Sequence, residues 1–302
     1  VRQRSIALYA SSELELLVVQ LAEKVTVRTL QKMKERGEKI SMVTAYDYPT
    51  AKLADEAGID IILVGDSVGM VVLGYKSTVP VTMDEMIHHC KAVVRAVNRA
   101  MVVGDMPYLS YQISVEQAVR NAGRMVKEAG VDAIKLEGGK EMAPAVKAIV
   151  ERIGVPVMGH IGLTPQRAAI SGGYKLQGKD AETAKAIIDD ALALEEAGAF
   201  CVLFEFTTAE VAKIITEKLK VPTIGIGCGP HCDGQVLVLH DLLGFYETAP
   251  KFSKQYAHLR QIILDALRTY SGEVKAQKFP AEEHTFHMPP EEHERLLRML
   301  GE

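Results

Sequence analysis

Only four cysteines stand in the 302 residues: Cys90, Cys201, Cys228 and Cys232. None falls in the paired CxxC spacing of a structural zinc site. Their apolar or glycine-rich neighbours suit reduced thiols rather than a disulfide framework. "CGPHC" (228–232) sets His231 between two thiols, but no second Cys/His cluster completes a metal site. Basic charge is equally short. Lys+Arg total 35 against 39 Asp+Glu, a net charge of −4, which gives no field for nucleic acid. No apolar run approaches the ~20 residues that a membrane-spanning helix needs. The glycine-rich fingerprint of a dinucleotide-binding sheet is missing after the first apolar strand. A cytoplasmic protein with neither nucleic acid nor a membrane as partner is the expectation.

What is present is ample apolar material, 48% of residues, enough for a sizeable core. One phrase recurs: "EAGID" (56–60), "EAGVD" (128–132) and "EAGAF" (196–200). Each reads as a helix tail, a glycine suited to a left-handed cap, and the start of an apolar strand. Helix starts with capping-box spacing stand at Thr82…Glu85, Ser114…Gln117 and Thr207…Glu210. Eight β-rich runs follow in order: 40–47, 60–66, 100–105, 132–138, 155–160, 200–206, 221–227 and 235–241. Helical patterns separate most of them, so the strands should be parallel.

That order predicts an α/β fold of one domain, a (β/α)8 TIM barrel with a helical C-terminal tail. The barrel is assigned to residues 25–286 and the tail to 287–302. Residues 228–234 are too few for a full helix between the last two runs, and a doubly wound open sheet is the alternative fold. Residues 1–24 read as an N-terminal extension without an assigned role. Within and just beyond it, "ELELLVVQLAEKV" (13–25) has the pattern of a short amphipathic helix. It is too acidic for a transit peptide and lacks a signal peptide's cleavage site.

Chemistry in a barrel gathers where the strands end. The ends carry Tyr46 and Asp47, Asp66 and Ser67, Asp105, Lys135 and Glu137, His160, Glu205, and His240 and Asp241. Asp66, Asp105 and Glu137 lie on three neighbouring strands, with no arginine cluster to match them. Such a group suits a hard divalent cation, Mg²⁺ above all. Alternatively, each acid caps a following helix or pairs with a surface lysine. Lys135 and Glu137 share one strand face. A lysine there can hold a substrate anion or lose its proton and form a Schiff base; a structural Lys–Glu pair is the plainer alternative. Glu205 sits between Phe204 and Phe206, on the inward or mouth-facing side by alternation. Apolar surroundings would raise its pKa toward that of a general base, unless it is paired with Lys135 or an arginine. His160 could meet substrate or be a satisfied structural residue. The glycines of "GIGCGP" (225–230) fall where barrels bind phosphate, but equally suit tight turns and close packing.

The chain also resembles a known family. "MVTAYDYPTAKLADEAGIDIILVGDS", "TVPVTMDEM", "VDAIKLEGG", "GHIGLTPQ", "GGYKLQGK", "GIGIGCGPHCDGQVLVLHD" and "FPAEEHTF" are similar to stretches of the ketopantoate hydroxymethyltransferases, over residues 25–286. The resemblance implies a barrel enzyme that assembles as a homo-oligomer, commonly a decamer. It implies a one-carbon transferase that moves a hydroxymethyl group from 5,10-methylenetetrahydrofolate to 3-methyl-2-oxobutanoate, giving 2-dehydropantoate for pantothenate synthesis. By motif, Asp66, Asp105 and Glu137 match the family's magnesium ligands. Asp66, Ser67, Asp105 and Lys135 match its keto-acid contacts, and Glu205 matches its catalytic base. The chain departs from the family pattern at Cys228, where a small alanine is expected, and at "EFTT" (205–208), where a proline-containing turn is common.

Two rivals use the same features differently. A lyase of the phosphoenolpyruvate mutase and isocitrate lyase group would keep the barrel and the metal, but it needs a reactive acid or thiol in a mobile loop. A non-catalytic scaffold would not need intact acids at the strand ends.

Overall fold

The computed structural model describes residues 23–168 and 173–302. The helix expected over 13–25 lies outside them except for its last three residues, which are not helical. The described chain runs α1 (Val27–Arg36), β1 (Ile40–Thr44), α2 (Tyr48–Glu56), β2 (Ile61–Val64), α3 (Val68–Val71), α4 (Met83–Ala96) and β3 (Met101–Asp105). It continues through α5 (Val115–Arg124), β4 (Ala133–Glu137), α6 (Ala143–Ile153), β5 (Val157–Gly162), α7 (Ala181–Glu196) and β6 (Cys201–Glu205). The remainder is α8 (Ala209–Lys218), β7 (Thr223–Ile226), β8 (Gly234–Leu237), α9 (Leu239–Leu243), α10 (Leu259–Lys275) and α11 (Pro290–Leu300).

The eight strands form one closed barrel in chain order, and β8 pairs with β1 in parallel to complete it. Alternation along each strand divides the core into two sets. Ile61, Leu63, Met101, Val103, Ala133, Met158, Cys201 and Leu203 pack together inside the ring. Ile62, Val64, Val102, Ile134, Leu136, Val202 and Phe204 pack outward against the helices. The same alternation decides which strand-end residues face the axis: two steps beyond Val103 comes Asp105, and two and four beyond Ala133 come Lys135 and Glu137.

Local signals explain most element boundaries. The glycines of the recurring phrase, Gly58, Gly130 and Gly198, all take left-handed backbone, at φ 81°, 79° and 94°. Thr82 and Glu85 form both arms of their capping box. Ser114 forms only one, because the Gln117 side-chain oxygen accepts from the Ile113 N–H instead. The expected box at Thr207 is absent. Thr208 is the cap residue of α8 and makes no side-chain cap bond, while Thr207 Oγ1 donates to the Glu205 carbonyl.

Two expected strand ends shorten by three residues or more. β1 stops at Thr44, and Asp47 caps α2 by accepting from the Thr50 N–H at 2.8 Å. β8 stops at Leu237, so His240 and Asp241 belong to the short helix α9. The connection from β7 to β8 spans residues 227–233 and contains no helix, yet Ile224 pairs with Gly234 in parallel. Tight turning at Gly227 and Gly229, φ 68° and 75°, replaces the crossover helix. The glycines of "GIGCGP" thus serve turn and packing roles.

Helices α10 and α11 bury none of their residues. Ile262, Leu267, Tyr270, Met299 and Leu300 all lie exposed there. Among the described residues no helix is long and apolar enough to cross a membrane.

Candidate active site

The strand-end residues converge on one cavity of about 510 Å³ at the barrel mouth. Asp66, Ser67, Asp105, Lys135, Glu137, His160 and Glu205 all line it. The sheet register brings them together, since Asp105 pairs with Lys135, Glu137 with His160, and Gly162 with Glu205.

The floor is a buried cluster of three carboxylates around one ammonium. Lys135 Nζ lies 2.9 Å from Asp105 Oδ1. The two form a buried ion pair, 4% and 1% exposed. The other Asp105 oxygen accepts from the Asp66 backbone N–H at 3.0 Å. Asp66 has a side-chain partner of its own. Its Oδ2 accepts from the Gln166 side-chain amide at 2.9 Å. Gln166 also donates its backbone N–H to Glu137 Oε2 at 3.1 Å. Tyr111 completes the frame, with its hydroxyl 2.8 Å from Gln166 Oε1 and within bonding distance of the Glu137 backbone.

This cluster is short of positive charge. Burial, then repulsion from Asp105, pushes the Asp66 carboxyl up to about 8, although Lys135 and the Gln166 amide oppose the rise. Burial and the Asp66 charge hold Glu137 well above the usual carboxylate range. Burial alone would lower the Lys135 ammonium. Asp105, Glu137 and Asp66 together outweigh it and hold Lys135 above its ordinary value. Lys135 therefore stays charged, which favours anion binding over Schiff-base formation.

His160 links the floor to Glu205. Its Nδ1 lies 3.3 Å from Lys135 Nζ. An ammonium can only donate, so Nδ1 is the accepting nitrogen and Nε2 carries the proton. Nε2 lies 3.4 Å from Glu205 Oε2 without forming a hydrogen bond. Burial and the Lys135 charge lower the His160 pKa, which keeps the ring neutral. Glu205 itself is partly open to solvent, with 18% of its side chain exposed. Its nearest ionisable partner is this imidazole, not Lys135 or an arginine. Ser67 Oγ and the Tyr46 hydroxyl pair at 2.8 Å beside the acids.

The donor set fits a hard divalent cation. Three buried carboxylates with a single ammonium among them could supply oxygen ligands, and the raised Asp66 and Glu137 carboxyls mark the missing charge. Among the described residues no three His, Cys, Asp or Glu side chains are already gathered as a metal cluster. The four cysteines are buried thiols. Burial pushes Cys228 up to about 11 and Cys232 up to about 12, so neither serves as a thiolate at neutral pH.

Gln166 and Tyr111 carry no signal by residue type alone. Gln166 stood in view as the last residue of "GHIGLTPQ", but nothing local says that a short turn after β5 returns it to Asp66, a hundred residues earlier.

The sequence profile described as Ketopantoate hydroxymethyltransferase matches residues 24–282. A protein named 3-methyl-2-oxobutanoate hydroxymethyltransferase from Carboxydothermus hydrogenoformans is 58% identical over 275 residues, covering 91% of this chain and 99% of its own. One of the same name from Moorella thermoacetica is 61% identical, covering 87% and 98%. Among solved structures, a phosphonopyruvate hydrolase in complex with oxalate and Mg²⁺ aligns with a TM-score of 0.56 at 14% identity, over 90% of this chain and 98% of that one. A 2,3-dimethylmalate lyase of the phosphoenolpyruvate mutase/isocitrate lyase superfamily gives 0.56 at 15% identity, over 91% and 95%. At such identities these two share the fold alone.

Proposed function

The chain belongs to the ketopantoate hydroxymethyltransferase family, and we propose that it transfers a hydroxymethyl group from 5,10-methylenetetrahydrofolate to 3-methyl-2-oxobutanoate. It is an enzyme, a transferase. The product would be 2-dehydropantoate, a precursor of pantothenate and coenzyme A. The observation that carries the reading is the pairing of a buried, charge-deficient carboxylate cluster with Glu205 across His160.

Asp66, Asp105 and Glu137 would hold Mg²⁺, and the bound ion would supply Lewis-acid stabilisation of negative charge. Lys135, kept charged by its three acidic neighbours, would attract the keto-acid carboxylate. Ser67, its Oγ held by the buried Tyr46 hydroxyl, offers a hydroxyl for orienting the same anion. Glu205, at the partly open side of the cavity, would remove the proton from C3. The His160 Nε2–H faces Glu205 Oε2, so a modest closure would let it fix the orientation of the base. The carbanion equivalent at C3 then attacks the folate's methylene carbon. Both C–N bonds of the methylene carbon break, water supplies the hydroxyl oxygen, and the proton taken from C3 and one proton of the water end on the two folate nitrogens, releasing tetrahydrofolate. We extend the reading to a cytoplasmic homo-oligomer, a decamer by family likeness; the exposed apolar side chains on α10 and α11 support assembly.

Removal of the C3 proton precedes contact with folate. Protein with Mg²⁺ and 3-methyl-2-oxobutanoate in D₂O should therefore exchange that proton without folate, as followed by NMR. Glu205→Gln should lose exchange and turnover together, by roughly 10²–10⁴-fold, while still binding the keto acid. Exchange at the wild-type rate in this variant would move the base to Lys135 or His160. Turnover without folate would favour a lyase of the mutase group instead.

A further inference from the structure

The mouth cavity has two unlike sides. Its floor is the acidic cluster, and its wall is apolar, formed by Phe206, Ile226, Val238, Pro250 and Phe252. The Phe206 and Phe252 rings meet at 5.8 Å between centroids, tilted by 49°. Phe206 adopts φ 48°, a left-handed backbone that bulky residues avoid. Gly227, at φ 68°, passes so close that an added Cβ would stand 3.0 Å from the Phe252 ring. Backbone strain and a close glycine thus hold two aromatic rings at the mouth.

One further carboxylate lines the cavity beyond those already placed. Asp241, from α9, is half-buried and lines it together with Lys251. Among the described residues its carboxylate makes no hydrogen bond or ion pair, and burial alone raises its pKa. A half-desolvated carboxylate with no protein donor has lost part of its hydration, and a ligand that brings donors would restore those contacts. The keto acid cannot be that ligand, since it is an anion with acceptor oxygens only. A single carboxylate is also too poor a donor set for a hard cation, which needs several oxygens.

The ligand that fits is a flat, largely apolar ring with two adjacent N–H donors on one edge. We propose that Asp241 anchors the pterin ring of the reduced folate co-substrate. Its two oxygens receive the hydrogens of the ring's 2-amino group and N3, and the ring faces rest on the Phe206–Phe252 wall. Lys251, exposed at the rim, suits the anionic glutamate tail. The inference rests on the folate reading above and names the residue that reads the pterin.

The test measures tetrahydrofolate binding by calorimetry in the full-length protein with Mg²⁺ and keto acid present. Asp241→Asn should weaken tetrahydrofolate roughly 10- to 100-fold, the range for losing hydrogen bonds to a charged group. Tetrahydropterin lacking the glutamate tail should weaken by the same factor. Keto-acid affinity reports that the fold is intact, and Asp241→Ser serves if the Asn variant fails to fold. Wild-type affinity for tetrahydrofolate in the folded variant overturns the Asp241 assignment and leaves the folate reading standing. Loss confined to the tailed ligand also overturns it, by placing Asp241 at the tail. A wild-type protein that binds no tetrahydrofolate and turns over without it overturns both.

Discussion

Gln166 stands 2.9 Å from Asp66 through its side-chain amide while its backbone N–H holds Glu137. One residue after β5 thereby sets the spacing of two acids carried by β2 and β4. Its amide also donates to the Met106 carbonyl at 3.0 Å, so a third strand end is tied to the same point. Replacing it by Gln166→Met keeps the volume and removes every side-chain bond. The variant should lose about 1–3 kcal/mol of stability, the cost of leaving buried polar groups unpaired, measured by urea unfolding without metal. Its Mg²⁺ affinity should fall as well, by calorimetry, because Asp66 is no longer aimed. Unchanged values in both measurements would remove Gln166 from the framework of the site.

Lys135 is the one buried cation among the floor acids, with 4% of its side chain exposed against 1% for Asp105. Lys135→Met leaves an uncompensated buried carboxylate, a loss of about 3–5 kcal/mol in comparable pairs. Denaturant unfolding should show that drop, and keto-acid binding should vanish with it. Because its acidic neighbours keep Lys135 charged, borohydride added with 3-methyl-2-oxobutanoate should trap no adduct. A mass increase on Lys135 would revive the Schiff-base role.

The raised Asp66 carboxyl has a definite sign in the metal-free protein. The folded group titrates at about 8, the unfolded one near ~3.9. Between these values the folded state binds the extra proton, so this group's contribution is fully present below ~4. It is lost as pH rises toward 8, at up to ~1.4 kcal/mol per pH unit for one proton. Thermal unfolding of Asp66→Asn should therefore gain on the wild type from pH 5 to pH 8. Titrating Mg²⁺ into wild type at pH 7 should release protons, visible as a buffer-dependent heat. An unchanged gap between the two proteins, with no proton release, would contradict the charge deficit on which the magnesium reading rests.

Gly162 faces Glu205 across the β5–β6 register. It holds φ 88°, and an added Cβ would stand 2.5 Å from the Glu205 carbonyl oxygen. That neighbour is backbone and cannot swing away. Gly162→Ala should separate the strand ends, displace Glu205 and lower C3 exchange and turnover at least tenfold, while leaving Mg²⁺ binding near wild type. Exchange at the wild-type rate would mean that the base does not depend on this contact.

The barrel was legible because its signals are local. Apolar runs, left-handed glycines such as Gly130 and the Thr82–Glu85 box each act within a few residues. Strand ends could be listed without knowing the register, which is why Asp66, Asp105, Lys135, Glu137 and Glu205 could all be picked out. What stayed hidden depends on distant segments meeting. The Gln166 amide reaches Asp66 across a hundred positions. His160 was visible as a residue, but its place between Lys135 and Glu205 came only from pairing with β4 and β6. Asp47 was misread for the opposite reason. A short-range cap to Thr50 competes with a mouth role, and the cap prevailed.

The pairing of β8 with β1 carries a consequence for biosynthesis. Val43 and Leu237 are register partners, and the Leu239 N–H donates to Thr44 Oγ1 across 195 positions. A ribosome adding ~5–20 residues per second therefore releases the first strand long before its last neighbour exists. For roughly 10–40 s at that speed, one edge of β1 lies open, an invitation to pairing with another chain. Nascent chains arrested before β8 should be protease-sensitive and prone to cluster, and those arrested well beyond α9 should resist digestion.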